Sequence, residues 1–141
     1  MKLHSLTAVA LRSKASWGYD AAFMAACVDT LTITSERIVS EPLFVLEGDG
    51  QLIGYCGLCV QGDDAELTNL FVEPWAIGRG YGKRLWRHAV EVARALDCRR
   101  LRIESDRFAE AFYHAMGVAR IGEVSSGAIP GRMIPLLTYW L

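Results

Sequence analysis

Apolar positions recur along the chain in two periods, and the change from one to the other organises it. Over Leu3–Ala15 they fall at positions 3, 6, 9, 10 and 11, the spacing of one helical face. Asp20 is placed to cap a second helix over residues 21–28, since a carboxylate there accepts from the N–H groups that open a helix. The turn between them, Ser16-Trp17-Gly18-Tyr19, carries two aromatics. Short apolar runs then replace helical spacing at residues 43–47, 52–60 and 66–72, which read as strands. Gly48-Asp49-Gly50 separates the first two runs and Gln61-Gly62-Asp63-Asp64 the next two, so an antiparallel meander is expected.

Beyond Pro74 the helical period returns. A glycine-rich loop runs from Gly78 to Gly82, and Leu85, Ala89, Val92, Ala93 and Leu96 share one helical face after it. Leu101 and Ile103 mark a short buried strand, and residues 108–116 a further helix ended by Gly117. Two strands joined through a helix are expected to be parallel, with a right-handed crossover. Residues 133–141 read as a last strand, which Pro135 places near an edge. The expected fold is α/β (α+β): one domain over residues 1–141, a mixed, mostly antiparallel sheet, and helices on both faces.

Composition narrows the classes. Of 141 residues, 52% are hydrophobic and 22% charged, with net charge −1, which describes a globular protein without a nucleic-acid surface or a polybasic membrane patch. No apolar run approaches the roughly 18 residues that span a bilayer. Arg12 and Lys14 interrupt the N-terminal apolar stretch, so no signal peptide is expected. Cys56 and Cys59 form a C-x-x-C inside a strand run, where residues three apart point to opposite faces, and no second pair accompanies them. His4, His88 and His114 are scattered as well. The expectation is therefore no metal site, reduced thiols and a cytoplasmic setting.

Gly78-Arg79-Gly80-Tyr81-Gly82-Lys83 follows a strand and opens a helix. Alternate glycines let a ligand approach the backbone, and a helix start offers unpaired N–H groups and the positive end of a dipole, which suits a diphosphate. Arg79, Lys83 and Arg84 add positive charge. A glycine loop that merely makes a tight connection has the same spacing. The Walker A pattern is absent, because Arg84 follows Lys83 where Ser or Thr belongs. The dinucleotide pattern is weakened, since Lys83 stands at its third glycine, although Glu104 suits its acidic position.

Two blocks together make the pattern specific. Leu70-Phe71-Val72-Glu73-Pro74, the glycine loop and Leu85 resemble the strand, loop and helix of the GCN5-related N-acetyltransferase (GNAT) family. Asp106, Ala109, Phe112, Tyr113 and Gly117 are similar to its second landmark, Asn-x-x-Ala-x-x-Phe-Tyr-x-x-x-Gly. Three departures stand out. Ile77 replaces the usual Gln or Arg, Asp106 replaces the Asn, and the chain opens almost directly into a helix where the family places a strand. A shortened fold or a start lying upstream would account for the last.

The resemblance implies a central strand pair that splays apart, with acetyl-CoA entering the gap. It implies cofactor contacts at Leu70, Phe71 and Val72, at Ile77, Gly78, Arg79, Gly80, Tyr81, Gly82 and Lys83, and at Asp106, Ala109 and Tyr113. Tyr113 is its candidate general acid, a core aromatic with a satisfied hydroxyl being the other reading, and Glu66 its candidate base, against a solvated carboxylate or a water held near Thr68 and Asn69. The acceptor would be an amine of a small molecule or protein, against Trp17, Tyr19 and Phe23, with Arg132 free for a carboxylate; core packing and a solvated loop are the other readings of those four. A homodimer through the final strand is a further implication. A non-catalytic acyl-CoA-binding module shares the same expected fold.

Overall fold

The computed structural model describes residues 3–141. In chain order the elements are α1 (Leu3–Ala15), α2 (Ala21–Leu31), α3 (Ser35–Ser40), β1 (Leu43–Gly48), β2 (Gln51–Gln61), β3 (Asp64–Val72), α4 (Tyr81–Ala95), β4 (Arg100–Glu104), α5 (Glu110–Ala115), β5 (Ala119–Ser125) and β6 (Met133–Trp140). A short 3-10 turn, Pro74–Ala76, precedes α4. The strands form one six-stranded sheet in the order β1-β2-β3-β4-β6-β5, antiparallel except for the β3–β4 pair. Among the described residues no strand precedes α1.

Each sheet face carries its own core, which sets helices on both sides as the periodicity implied. One face packs Leu58, Leu67, Leu101 and Ile103 against α4 and α5; the other packs Tyr55 against α1 and Ile33. The buried stripe of α4 is Leu85, Trp86, Ala89, Val90 and Ala93, while Leu96 is exposed. The stripe is thus rotated towards Trp86, whose ring meets Tyr113 and Tyr139 edge-on at 5.9 and 5.2 Å.

Five departures from expectation need correction. The second helix continues to Leu31, and the helix expected from residue 108 begins at Glu110, because Asp106 Oδ1 accepts the Phe108 N–H at 2.9 Å and holds a turn there. α3 was not anticipated: it is six residues long, too short for an apolar period, and is set by its Thr34 cap on the Arg37 N–H. β5 is an edge strand with a largely exposed surface, so it lacks the apolar signature of a strand. Its presence moves β6 inside the sheet. Pro135 is accommodated because its carbonyl, and hence its nitrogen, faces β4 where that strand ends; the carbonyl accepts from Ser105 at 2.9 Å.

The β2–β3 register slips by one residue at Thr68, a β-bulge opposite Gly57 and Leu58. Gly57 makes room for it: a Cβ there would meet Thr68 Oγ1 and Leu43 Cδ2, each at 2.7 Å. Gly57→Val is therefore expected to lower stability by about 2 kcal/mol, as overpacked core positions do. Urea unfolding measures this; an unchanged midpoint would show that the bulge does not depend on the missing side chain.

Candidate active site

β3 and β4 pair over only three positions, Asp64 with Arg100, Ala65 with Leu101 and Glu66 with Arg102. β3 then continues to Val72 alongside β2 while β4 stays with β6, so the central pair splays. Glu73 N–H donates to Ile53 on β2 at 2.8 Å. By the two-residue alternation of a strand, Phe71 also faces β2, whereas Leu70 and Val72 turn their N–H and C=O groups into the gap. The Phe71 side chain packs towards Tyr55 in the α1-side core. α1 ties the two banks together. Arg12 holds Glu73 after β3 with bonds of 2.9 and 3.0 Å, and Lys14 holds Asp106 after β4 at 2.6 Å.

The glycine loop lies beyond the end of β3. Gly78 and Gly80 have φ of 83° and 87°, a region costly for residues with a Cβ, and Gly80 caps α4. Among the described residues, none of the N–H groups from Gly78 to Lys83 donates to a backbone carbonyl. Ile77 differs from the expectation, because its N–H is spent on the Pro74 carbonyl at 3.3 Å. The cradle therefore spans six amides at the positive end of a 15-residue helix, with exposed Arg79 and Lys83 beside it. A Cβ at Gly78 or Gly80 would meet nothing within 4 Å, so the loop faces open space that a diphosphate fits. Tyr81 instead packs against the α4-side core.

A cleft of about 280 Å³ runs through the gap, lined from one sheet face by Lys14 and Trp17 and from the other by Ala109 and Tyr113, with Leu70 and Phe71 between. Tyr113 is buried against Trp86 and Phe112. Burial, with the nearby Cys56 adding to it, pushes its phenol far above the usual tyrosine range. It stays protonated at physiological pH. Asp106 is fully engaged, accepting from Lys14, from the Phe108 amide at 2.9 Å and from the Tyr19 hydroxyl at 2.9 Å. Burial alone would raise the Asp106 carboxyl; these bonds outweigh it and hold it below the usual range. Tyr19, pushed up to about 12 by burial and by Asp106, stacks on Phe23 at 3.9 Å. The Arg132 guanidinium lies 4.8 Å from the Phe23 ring and donates to the Tyr19 hydroxyl at 3.0 Å.

Glu66 is not on this cleft. It opens on an adjoining hollow of about 240 Å³ with Cys59, Gln61 and Arg102, and Glu104 lines both spaces. Burial raises the Glu66 carboxyl, a hydrogen bond with Glu104 adds to this, and Arg102 offsets part of it. Glu104, Lys14 and Phe108 were missed as site residues. Period-two reading of β4 puts Glu104 on the same face as Arg102, which was the available signal. For Lys14 and Phe108 there was none, since their roles depend on α1 reaching Asp106 and on Trp17 stacking over Phe108 at 5.6 Å.

The chain matches the model of the Acetyltransferase (GNAT) family over residues 9–118 and belongs to that family. Over 77 residues it is 40% identical to the putative [ribosomal protein bS18]-alanine N-acetyltransferase of Bacillus subtilis (strain 168), covering 52% of this chain and 51% of that protein. It thus spans about half the length of that curated relative. Among solved structures it is similar to the GCN5-related N-acetyltransferase from Rhodopseudomonas palustris, with TM-score 0.80 and 18% identity over 99% of this chain and 89% of that one. It is also similar to the PaiA N-acetyltransferase of Thermoplasma acidophilum in complex with coenzyme A, with TM-score 0.78 and 17% identity over 99% and 92%. Both likenesses are of fold. No helix of the described residues is long and apolar enough to cross a membrane.

Two outcomes test this geometry. Gly80→Glu should abolish CoA binding in calorimetry, because a carboxylate would face the diphosphate. Gly80→Ala, which carries the same backbone strain without charge, should bind more weakly than the wild type but measurably; equal affinity of Gly80→Glu and wild type would refute the loop assignment. Glu66 gives a pH signature. Its folded pKa lies above its unfolded value, so the folded state binds more protons in that window and stability falls as pH rises through it. Glu66→Gln removes this loss, so its Tm should gain on that of the wild type between about pH 4 and pH 7; a difference constant with pH would contradict the raised pKa.

Proposed function

We propose that the chain is an acetyl-CoA-dependent N-acetyltransferase in which an amine attacks the thioester directly, in a ternary complex. One arrangement carries this: two parallel strands splay apart, a buried, protonated tyrosine lines the gap, and six free amides follow the end of β3. The fit of the loop to a diphosphate supports CoA, as does the coenzyme A in the Thermoplasma relative.

Acetyl-CoA supplies the activated acetyl group. The chain supplies the rest. Six amides from Gly78 to Lys83, with Arg79 and Lys83, hold the diphosphate. The C=O and N–H groups of Leu70 and Val72 offer strand-like pairing to the pantetheine arm, and the Leu70 N–H is the candidate donor to the oxyanion. Ala109 lines the same passage. Tyr113, held protonated by burial, would donate a hydrogen bond to the departing thiolate, and the proton that sulfur finally takes would come from the newly acylated amine by way of solvent. The acceptor amine must arrive neutral. Glu104 on the cleft, with Glu66 beside it, offers a route for its proton through water, and Thr68 and buried Asn69, 3.2 Å apart, offer polar anchors for such a water. The acceptor enters from the α1 side, past Trp17 and Arg132, with Tyr19 and Phe23 stacked against Arg132. The Bacillus relative, named for an alanine of a ribosomal protein, favours a peptide α-amine. The cytoplasm suits such an acceptor.

A thermal shift tests binding. Acetyl-CoA at about 100 times its Kd should stabilise by about 2.7 kcal/mol, and NAD should not. Tyr113→Phe should lower kcat by about 100-fold while leaving acetyl-CoA affinity near that of the wild type. Equal rates would remove Tyr113 from the acid role. Binding without turnover on any amine would instead favour a non-catalytic acyl-CoA module.

A further inference from the structure

Four charged side chains line the cleft through the gap: Lys14, Glu104, Asp106 and Arg132. Two of them cancel. Lys14 and Asp106 are 2.6 Å apart, with side chains only 14% and 13% exposed. Glu104 and Arg132 form no ion pair among the described residues. The remaining cleft is therefore dipolar, with a carboxylate at the end of β4 and a guanidinium just before β6.

Arg132 is built in as well as charged. It donates to the Tyr19 hydroxyl at 3.0 Å and lies 4.8 Å and 5.5 Å from the rings of Phe23 and Tyr19. Tyr19 is in turn fixed by Asp106. Among the described residues this leaves most of the guanidinium fork without a protein acceptor, and its planar fork is matched to a carboxylate. A cation partly withdrawn from water beside aromatic rings gains from an anionic partner more than a solvated one does.

Spacing follows from the ladder. Glu104 is the register partner of Leu136, four residues beyond Arg132 on the neighbouring strand. At about 3.3 Å per residue the two backbones lie about 13 Å apart along the strand direction, a span that two long side chains shorten to a few bonds.

We infer that the acceptor is a primary amine carrying its own carboxylate a few bonds away: the amine faces the Glu104 end and the carboxylate pairs with Arg132. This rests on the N-acetyltransferase reading above and names its substrate class. An amino acid such as glutamate and a peptide N-terminus with an acidic residue next to it present the same chemistry.

The test is steady-state acetylation of matched acceptors: three amidated tripeptides with N-terminal alanine and glutamate, glutamine or lysine at the second position, and free glutamate against its diamide, glutamine amide, which keeps the amine and has no carboxylate. The wild type should use at least one acidic acceptor with kcat/KM about tenfold or more above its uncharged counterpart. Peptide against free amino acid then identifies the source. Arg132→Gln should bring that ratio near one by raising KM for the acidic acceptor, with acetyl-CoA affinity retained, and Arg132→Glu should shift preference to the lysine peptide. A wild-type ratio near one, or a ratio that survives Arg132→Gln, overturns the inference. Absence of turnover with every acceptor also overturns it, and the acetyl-CoA thermal shift then tells a wrong acceptor class from a wrong reading of the protein.

Discussion

A parallel strand pair normally continues until one strand ends, because each unpaired N–H or C=O buried without a partner costs about 1–3 kcal/mol. β3 and β4 stop pairing after three positions, although β3 runs on to Val72. Three features hold them apart. The bulge at Thr68 turns β3 relative to β2, the bond from Ser105 to Pro135 commits the end of β4 to β6, and α1 grips each bank through its own ion pair. The backbone groups of Leu70 and Val72 then face a gap open to a strand-like ligand. Everything proposed for the site depends on that break in the ladder.

The glycine loop would achieve little without it. Free amides at a helix N-terminus attract any anion, and in the proposed reading the gap would give the bound anion a direction, with its attached chain entering between β3 and β4. The role proposed for Tyr113 rests on burial. Packing against Trp86 and Phe112 removes it from water, which opposes ionisation and keeps a proton available beside the passage. The paired ions across α1 work the other way. Lys14 and Asp106 are nearly enclosed, so removing either strands a buried charge, and both the α1 position and the cleft wall depend on the two together.

Asp106 shows how a departure from a family pattern is absorbed. An amide side chain carries donor and acceptor at once, whereas a carboxylate only accepts. Here Lys14, Tyr19 and the Phe108 amide bring donors to it, so the carboxylate is satisfied within the protein. Ile77 is absorbed more simply: its N–H closes the 3-10 turn, its side chain is exposed, and the cradle begins one residue later.

Local patterns were enough for α1, the meander, the crossover and the glycine loop, since each is governed by residues close in sequence: an apolar period, an Asp-Gly turn, a run of alternate glycines. They failed at α3 and β5, which are too short or too exposed to show a period, and at Pro135, whose tolerance depends on where a neighbouring strand ends. Within the site, Tyr113 and the loop were legible because a motif marks them. The separation of Glu66 from the cleft, the place of Glu104 between two hollows, and the joining of Lys14, Tyr19, Asp106 and Arg132 were not. Those four come from α1, the turn after it, the end of β4 and the loop before β6, so their contact is a property of how the layers pack, which no local spacing encodes.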